Sequence, residues 1–243
     1  MLTINLPHNN ISTILFDLDG TLCHHSPSSL DVILQILLEK GLERFQNPQT
    51  WRKTRHWSQY YWAQSPEVLE DIAVYGDLTE TFWDHYLWKK LIVIGCTEEE
   101  ANQLLPEIQS LMEERYHPES FIPEDIMPTL NALREKDFTL GLVSNRSEPF
   151  HDEIEKLGLA GFFDFAFTAG EVGVWKPDKE IFQHALTQAQ SIPKEAIYIG
   201  DNYYADIVGA QQAGLEAILV DPQRVFPKAT CRVIDSVSEL VKT

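Results

Sequence analysis

Four polar clusters in this chain hold residue types that can do chemistry. Asp17 and Asp19 stand two apart in Ile14-Leu15-Phe16-Asp17-Leu18-Asp19-Gly20-Thr21. Ser144 and Asn145 close an apolar run that starts at Phe138, Lys176 precedes Pro177, and Asp201 follows Gly200 with Asp206 five residues on. On an extended strand side chains alternate, so Asp17 and Asp19 leave the backbone on the same side. Gly20 then lets the chain turn where a Cβ would obstruct it. Several carboxylates cannot share a dry cleft without a cation. Hard oxygen ligands of this kind suit Mg²⁺, which prefers a few carboxylates plus water and phosphate oxygens. The Lys176 ammonium and the Ser144 hydroxyl can hold the other oxygens of a phosphoryl group. Main-chain amides after Asp19 would add further donors. One aspartate can then attack phosphorus while its neighbour moves protons.

Taken singly, each cluster has a plainer reading. Asp-x-Asp-Gly is commonly a turn, Ser-Asn a helix N-cap, and Lys-Pro a solvated loop. Asp206 reads equally well as an acid near a helix N-terminus. What raises the signal is their joint placement at the ends of apolar runs. Such runs fall at about 12–17, 138–144, 163–168, 196–200 and 216–220, with a weaker one at 231–234. Helical patterns separate the later runs, near 124–136, 149–157, 178–190 and 203–213, with a last one near 236–242. That alternation implies an α/β core, a Rossmann-like doubly wound parallel sheet with helices on both faces. In such a sheet ligands bind beyond the carboxyl ends of the strands, where all four clusters lie.

Between the first run and the rest the texture is helical. Ser28 with Asp31 opens a helix carrying Leu30, Ile33, Leu34, Leu37 and Leu38 on one face, ended by Gly41. Further helices are expected at 49–62, at 66–74, from Thr79 to about Ile94, and after Thr97. Pro106 should kink or split the last of these. No strand is expected between 24 and 120. The domain reading is therefore a core of residues 1–21 and 122–243, with an all-helical insert, 22–121, just after the first strand.

In order and spacing these motifs closely resemble the haloacid dehalogenase-like superfamily. Its four motifs match Asp17-Leu18-Asp19-Gly20-Thr21, Ser144-Asn145, Lys176-Pro177-Asp178 and Ile199-Gly200-Asp201-Asn202-Tyr203-Tyr204-Ala205-Asp206. The insert resembles the helical cap of phosphoglycolate phosphatase-like members. The resemblance implies that Asp17 is the nucleophile forming an aspartyl-phosphate and that Asp19 protonates the leaving oxygen, then activates water. It implies that Ser144, helped by Asn145, binds the phosphoryl group, and that Lys176 neutralises that group and the nucleophile. Mg²⁺ would be held by the Asp17 carboxylate, the Asp19 main-chain carbonyl and Asp201, while Asp206 orients Lys176 or a metal-bound water. Ala205 stands where many relatives carry Asn, which would loosen that outer contact. The name-giving dehalogenases typically lack the second acid of the first motif, so Asp19 points away from dehalogenation.

The expected function is a Mg²⁺-dependent phosphatase for a small phosphorylated metabolite. The alternatives are a phosphotransferase or phosphomutase acting on a sugar phosphate and, behind both, a non-catalytic binding protein. Bulk properties agree. A formal net charge of −18 repels nucleic acid and anionic membranes. Cys23, Cys96 and Cys231 lie far apart without metal spacing, as suits a reducing compartment. Met1–Asn10 does not read as a signal peptide, and no apolar stretch is long enough to span a membrane. A cytoplasmic location is expected, with the oligomeric state open. In the insert, Arg52, Lys53, Arg55 and His56 form a basic group and Trp51, Trp57, Trp62, Trp83 and Trp88 an aromatic one. Their plain readings are a solvated helix face and core packing; their sharper ones are recognition of a second anionic group and an aromatic wall above the phosphate.

Overall fold

The computed structural model describes residues 3–8 and 10–242. The chain forms two compact units, one running up to His24 and again from Ser120, the other His25–Glu119.

The first unit contains β1 (Thr3–Ile4), β2 (Thr13–Phe16), β3 (His24–Ser26), β4 (Glu119–Phe121), β5 (Thr139–Ser144), β6 (Phe165–Thr168), β7 (Ala196–Gly200), β8 (Glu216–Val220), β9 (Arg232–Ile234) and β10 (Val241–Lys242), with β3 and β4 at its border. Six of these make one sheet in the order β6-β5-β2-β7-β8-β9, and its neighbours run parallel. The chain builds outward from β2 on one side and then returns to build outward on the other. β2 therefore sits at the reversal of strand order, where an open α/β sheet forms its crevice.

All four residues of β2 are buried, as expected of a strand covered on both faces. Ile14 and Phe16 join Leu140, Leu142, Ile197 and Ile199 in one hydrophobic cluster that also takes in Ile126, Leu130 and Leu133. On the other face, Phe182 packs edge-on against Tyr198 at 5.0 Å.

The second unit comprises α1 (Ser29–Glu39), α2 (Pro48–Trp62), α3 (Pro66–Tyr75), α4 (Glu80–Ile94) and α5 (Glu98–Arg115). Each start is fixed by a side chain that accepts a main-chain N–H: Ser28, Asn47, Ser65, Thr79 and Thr97. Thr97 and Glu100 complete a reciprocal capping box. In the first unit follow α6 (Ile126–Arg134), α7 (His151–Lys156), α8 (Ala169–Val172), α9 (Lys179–Gln188) and α10 (Gly209–Gln212). Among the described residues no helix is long and apolar enough to cross a membrane.

The structure corrects four expectations. β3 and β4 are strands within the stretch expected to have none, and they pair with each other. β3 reads His-His-Ser and β4 is fully exposed, so neither carries an apolar alternation to announce it. Pro106 lies inside an unbroken α5, so it does not split the helix. The expected C-terminal helix is a 3₁₀ turn, Val237–Leu240, followed by β10, which pairs antiparallel with β1. Buried Val237 and Leu240, three apart, imitate helical spacing, whereas the partner Ile4 is distant in sequence. The helix at 203–213 opens as a π-helix, Tyr203–Val208, before α10.

Candidate active site

Asp17 directly follows β2, and its N–H donates to Ile199 O at 2.9 Å, extending the ladder with β7 past the strand end. The chain then turns sharply. Gly20 N–H bonds Cys23 O at 2.8 Å, and Thr21 and Leu22 both donate to Leu18 O. The Gly20 and Thr21 amides are thus occupied within the turn, which corrects their expected role as donors to a ligand. Gly20 has φ +87°, and a Cβ there would lie 2.5 Å from Asp201 Oδ2. Only glycine brings the first-strand turn and the β7 loop this close.

Lys176 is the centre of the arrangement. Its ammonium reaches Asp17 Oδ1 at 2.6 Å, Asp206 Oδ1 at 2.7 Å, the Tyr198 hydroxyl at 2.9 Å and Val143 O at 3.2 Å. Tyr198 in turn donates to Val143 O at 3.0 Å. The Lys176 side chain is 2% exposed and that of Asp206 1%. Burial opposes the ammonium, but Asp17 and Asp206 outweigh it and hold Lys176 well above its ordinary value. Burial pushes the Asp17 carboxyl up to about 7; Lys176 pulls against that, while Asp206 and Asp19 add repulsion. Lys176 therefore stays charged, and Asp17 lacks enough positive charge around it.

Asn145 clamps the main chain of Lys176, receiving its N–H at 2.7 Å and donating to its carbonyl at 2.9 Å. Both ends of the Asn145 amide thus engage Lys176. Pro177 does not enter the helix. The Lys176–Pro177 bond is cis, and α9 begins at Lys179 with Asp178 as its N-cap. Asp206 bonds Lys176 with one oxygen and the Asn202 N–H with the other, at 2.9 Å. At Gly200, the last residue of β7, an added Cβ would run into the Asp206 carboxylate. Ser144 ends β5, buried, and its hydroxyl accepts from Arg146 N–H at 3.3 Å.

Asp17, Asp201 and Asp206 offer oxygens that all lie within 4.8 Å of one another. One ammonium cannot balance three carboxylates, and these hard donors fit a divalent cation. Both oxygens of Asp206 are engaged, one by Lys176 and the other by Asn202 N–H.

Two participants escaped the sequence reading. Tyr198 lies within a fully buried strand; its only trace is one hydroxyl in an apolar run. Arg146 grips Asp19 with two parallel bonds, Nε to Oδ2 at 2.8 Å and Nη2 to Oδ1 at 2.7 Å. The same guanidinium reaches Glu153 on α7 through Nη1, and through Nη2 at 3.2 Å. Its signal was adjacency to Ser144-Asn145.

Other candidates have simpler roles. Burial pushes the Cys23 thiol up to about 11, so it is not a thiolate. In the helical unit Trp57 packs on Tyr61 at 5.1 Å and on Tyr86 at 5.6 Å. Arg55 lies over the Trp51 ring at 5.2 Å.

Comparison with known proteins follows the same lines. The family model described as haloacid dehalogenase-like hydrolase matches residues 11–214. A mouse (Mus musculus) haloacid dehalogenase-like hydrolase domain-containing protein 3 is 34% identical over 163 residues, 67% of this chain and 64% of that protein. The ribulose-1,5-bisphosphate 5-phosphatase of Halopiger xanaduensis is 28% identical, over 87% of this chain and 85% of its own. Among solved structures, a 2-haloacid dehalogenase from Pseudomonas syringae is 27% identical with a TM-score of 0.52, covering 95% of this chain and 96% of that one.

Proposed function

This chain belongs to the haloacid dehalogenase-like hydrolases, and we propose that it is a Mg²⁺-dependent phosphatase that hydrolyses a small phosphorylated metabolite through an aspartyl-phosphate. The supporting observation is the buried Lys176 ammonium, bonded at once to Asp17 and Asp206. It takes Asp17 Oδ1 and leaves Oδ2, with only a long bond from the Thr21 hydroxyl at 3.5 Å, as the oxygen that attacks.

In the first step Asp17 Oδ2 forms a bond to phosphorus as the ester P–O bond breaks. Asp19 gives its proton to the departing oxygen. In the second step water attacks the aspartyl-phosphate, Asp19 takes a proton from that water, and inorganic phosphate leaves with Asp17 regenerated. Ser144 holds a phosphoryl oxygen, Asn145 fixes Lys176, and Asp206 keeps the ammonium aimed. Bound Mg²⁺, held by Asp17, the Asp19 carbonyl and Asp201, would supply charge that lets the phosphoryl group approach these acids. By its place in the chain, inserted after the first strand, the helical unit is assigned as the cap domain.

The likeness to a dehalogenase raises halide displacement as a second reading. A halide leaves without a proton, so the general-acid half of Asp19's work would be idle there; an ester oxygen needs it. The test is a panel of phosphomonoesters assayed with Mg²⁺ for free phosphate, with the Asp17→Asn variant as control. Phosphate release that needs both Mg²⁺ and Asp17 is expected. No release from any ester overturns the reading, and transfer of the phosphoryl group to an acceptor sugar supports the mutase alternative instead.

A further inference from the structure

Arg146 is a cation in direct contact with a proposed reacting acid, Asp19, and the mechanism above does not use it. It reaches Asp19 with two bonds of 2.8 and 2.7 Å in the planar geometry that only a guanidinium offers. An ion pair of this kind at an ordinary surface contributes little, because both side chains lose freedom to form it. Here the pair is partly covered, the Arg146 side chain 26% exposed and that of Asp19 34%. Moreover, the guanidinium is held from behind. Glu153 on α7 receives Nη1 and, at 3.2 Å, Nη2. The main chain of Arg146 is tied to the strand end as well, through its N–H to Ser144 Oγ at 3.3 Å. One residue thus links the β5 end, the Asp19 carboxyl and α7.

From this geometry, and resting on the phosphatase reading, we infer that Arg146 is a positioning residue for proton transfer: its fork sets the plane of the Asp19 carboxyl, and Glu153 keeps the fork seated. A carboxyl carrying a proton can accept fully on only one oxygen. When Asp19 is loaded to protonate the leaving oxygen, it must therefore loosen one of its two bonds to Arg146. Glu153 already receives Nη2, the nitrogen that would be released from Oδ1. The guanidinium can stay in place through both steps, remaining a cation throughout, while the proton passes from Asp19 to the ester oxygen and later from water to Asp19.

The test separates proton transfer from general damage by varying the leaving group. p-Nitrophenyl phosphate and phenyl phosphate share one phosphoryl group; the first expels a weakly basic oxygen and the second a strongly basic one. kcat/KM reports the chemistry up to the first irreversible step and excludes a shared later hydrolysis. Arg146→Gln should lower kcat/KM for phenyl phosphate roughly 10- to 100-fold more than for p-nitrophenyl phosphate, a part of the roughly 10²–10⁴-fold that general acid catalysis contributes, because Asp19 itself is kept. Arg146→Lys should restore only part of that difference, since it brings charge without the fork. Glu153→Gln, which leaves Asp19 and Arg146 in place, should show the same selectivity at smaller size, and it serves as the probe if Arg146→Gln does not fold. Equal losses on both substrates, or none, in the folded variants overturn the role of Arg146 while leaving the phosphatase reading intact. A wild-type enzyme that hydrolyses neither ester overturns both.

Discussion

The molecule builds the same trio of residue types twice. In the sheet unit Lys176 joins Asp17, Asp206 and the Tyr198 hydroxyl. In the helical unit Lys89 pairs with Asp71 at 2.7 Å and Glu67 at 3.0 Å, while the Tyr61 hydroxyl donates to Asp71 at 2.8 Å. His85 adds a contact to Asp71 at 3.3 Å. The helical set is assembled from α2, α3 and α4, with donors enough for Asp71. The sheet set is assembled from positions far apart in sequence: Asp17 just past β2, Lys176, Tyr198 inside β7 and Asp206 in the π-helix after it. There one ammonium faces three converging carboxylates, Asp17, Asp201 and Asp206. The difference lies in charge balance, not in residue type. A network of one lysine for two acids, with a tyrosine donor, holds helices together, whereas one lysine for three acids calls for a cation and a substrate.

Substitutions can break this comparison, and the largest effect should come from Asp17. Asp17→Asn removes the nucleophile without changing shape and should lower turnover by about a thousand-fold or more. A circular dichroism melt should still show a cooperative fold. Lys176→Met should also abolish turnover, and it leaves Asp17 and Asp206 buried without their counter-charge. That costs about 3–5 kcal/mol in denaturant unfolding. Lys89→Met, by contrast, should cost only about 1–2 kcal/mol, because Lys89 and Glu67 are partly exposed and buried Asp71 keeps the Tyr61 hydroxyl as a donor. Its effect on turnover should be minor. Similar losses of activity in both lysine variants would erase the distinction drawn here.

Asp17 also gives the comparison a pH dependence. Its carboxyl sits at about 7 when folded against 3.8 ordinarily. Between those values the folded state binds more protons than the unfolded one. In metal-free protein its contribution to stability is therefore full below about pH 4 and is lost as pH rises through about 7. A divalent cation competes with that proton, so added Mg²⁺ should raise Tm more at pH 8 than at pH 5. An equal rise at both values would argue against metal binding at Asp17. Tyr198→Phe, which takes one donor from Val143 O and one acceptor from Lys176, should have an effect as small as Lys89→Met, about 1–2 kcal/mol.

How far the sequence discloses these features follows from the range of the interactions. Helix starts at Ser28, Thr79 and Thr97 were legible because the cap and the amide it binds are three residues apart. The placement of Asp17, Lys176 and Asp206 on one rim was legible because each closes or follows an apolar run, and a parallel sheet brings such ends together. The pairing of β1 with β10 was not, since two-residue strands have no pattern of their own. Arg146 was hidden for another reason. Its partners, Asp19 and Glu153, lie 127 positions before it and 7 after it, and a lone arginine beside Asn145 looks like any loop cation. The position of Asn145 beside Ser144 suggests substrate, but does not show that its amide also spans the Lys176 main chain. Position along a strand end tells which residues meet, and only geometry tells which of them face each other.

The central claim is that Asp17, held by Lys176, becomes phosphorylated. It is tested most directly by mixing enzyme, Mg²⁺ and a phosphomonoester substrate from the panel, quenching in acid within one turnover, and reading the peptides by mass spectrometry. The account predicts that the peptide containing Asp17 gains the mass of one phosphoryl group, and that Asp17→Asn gains none. A phosphoryl group found on another residue, or turnover that proceeds with none bound to the protein, would contradict it.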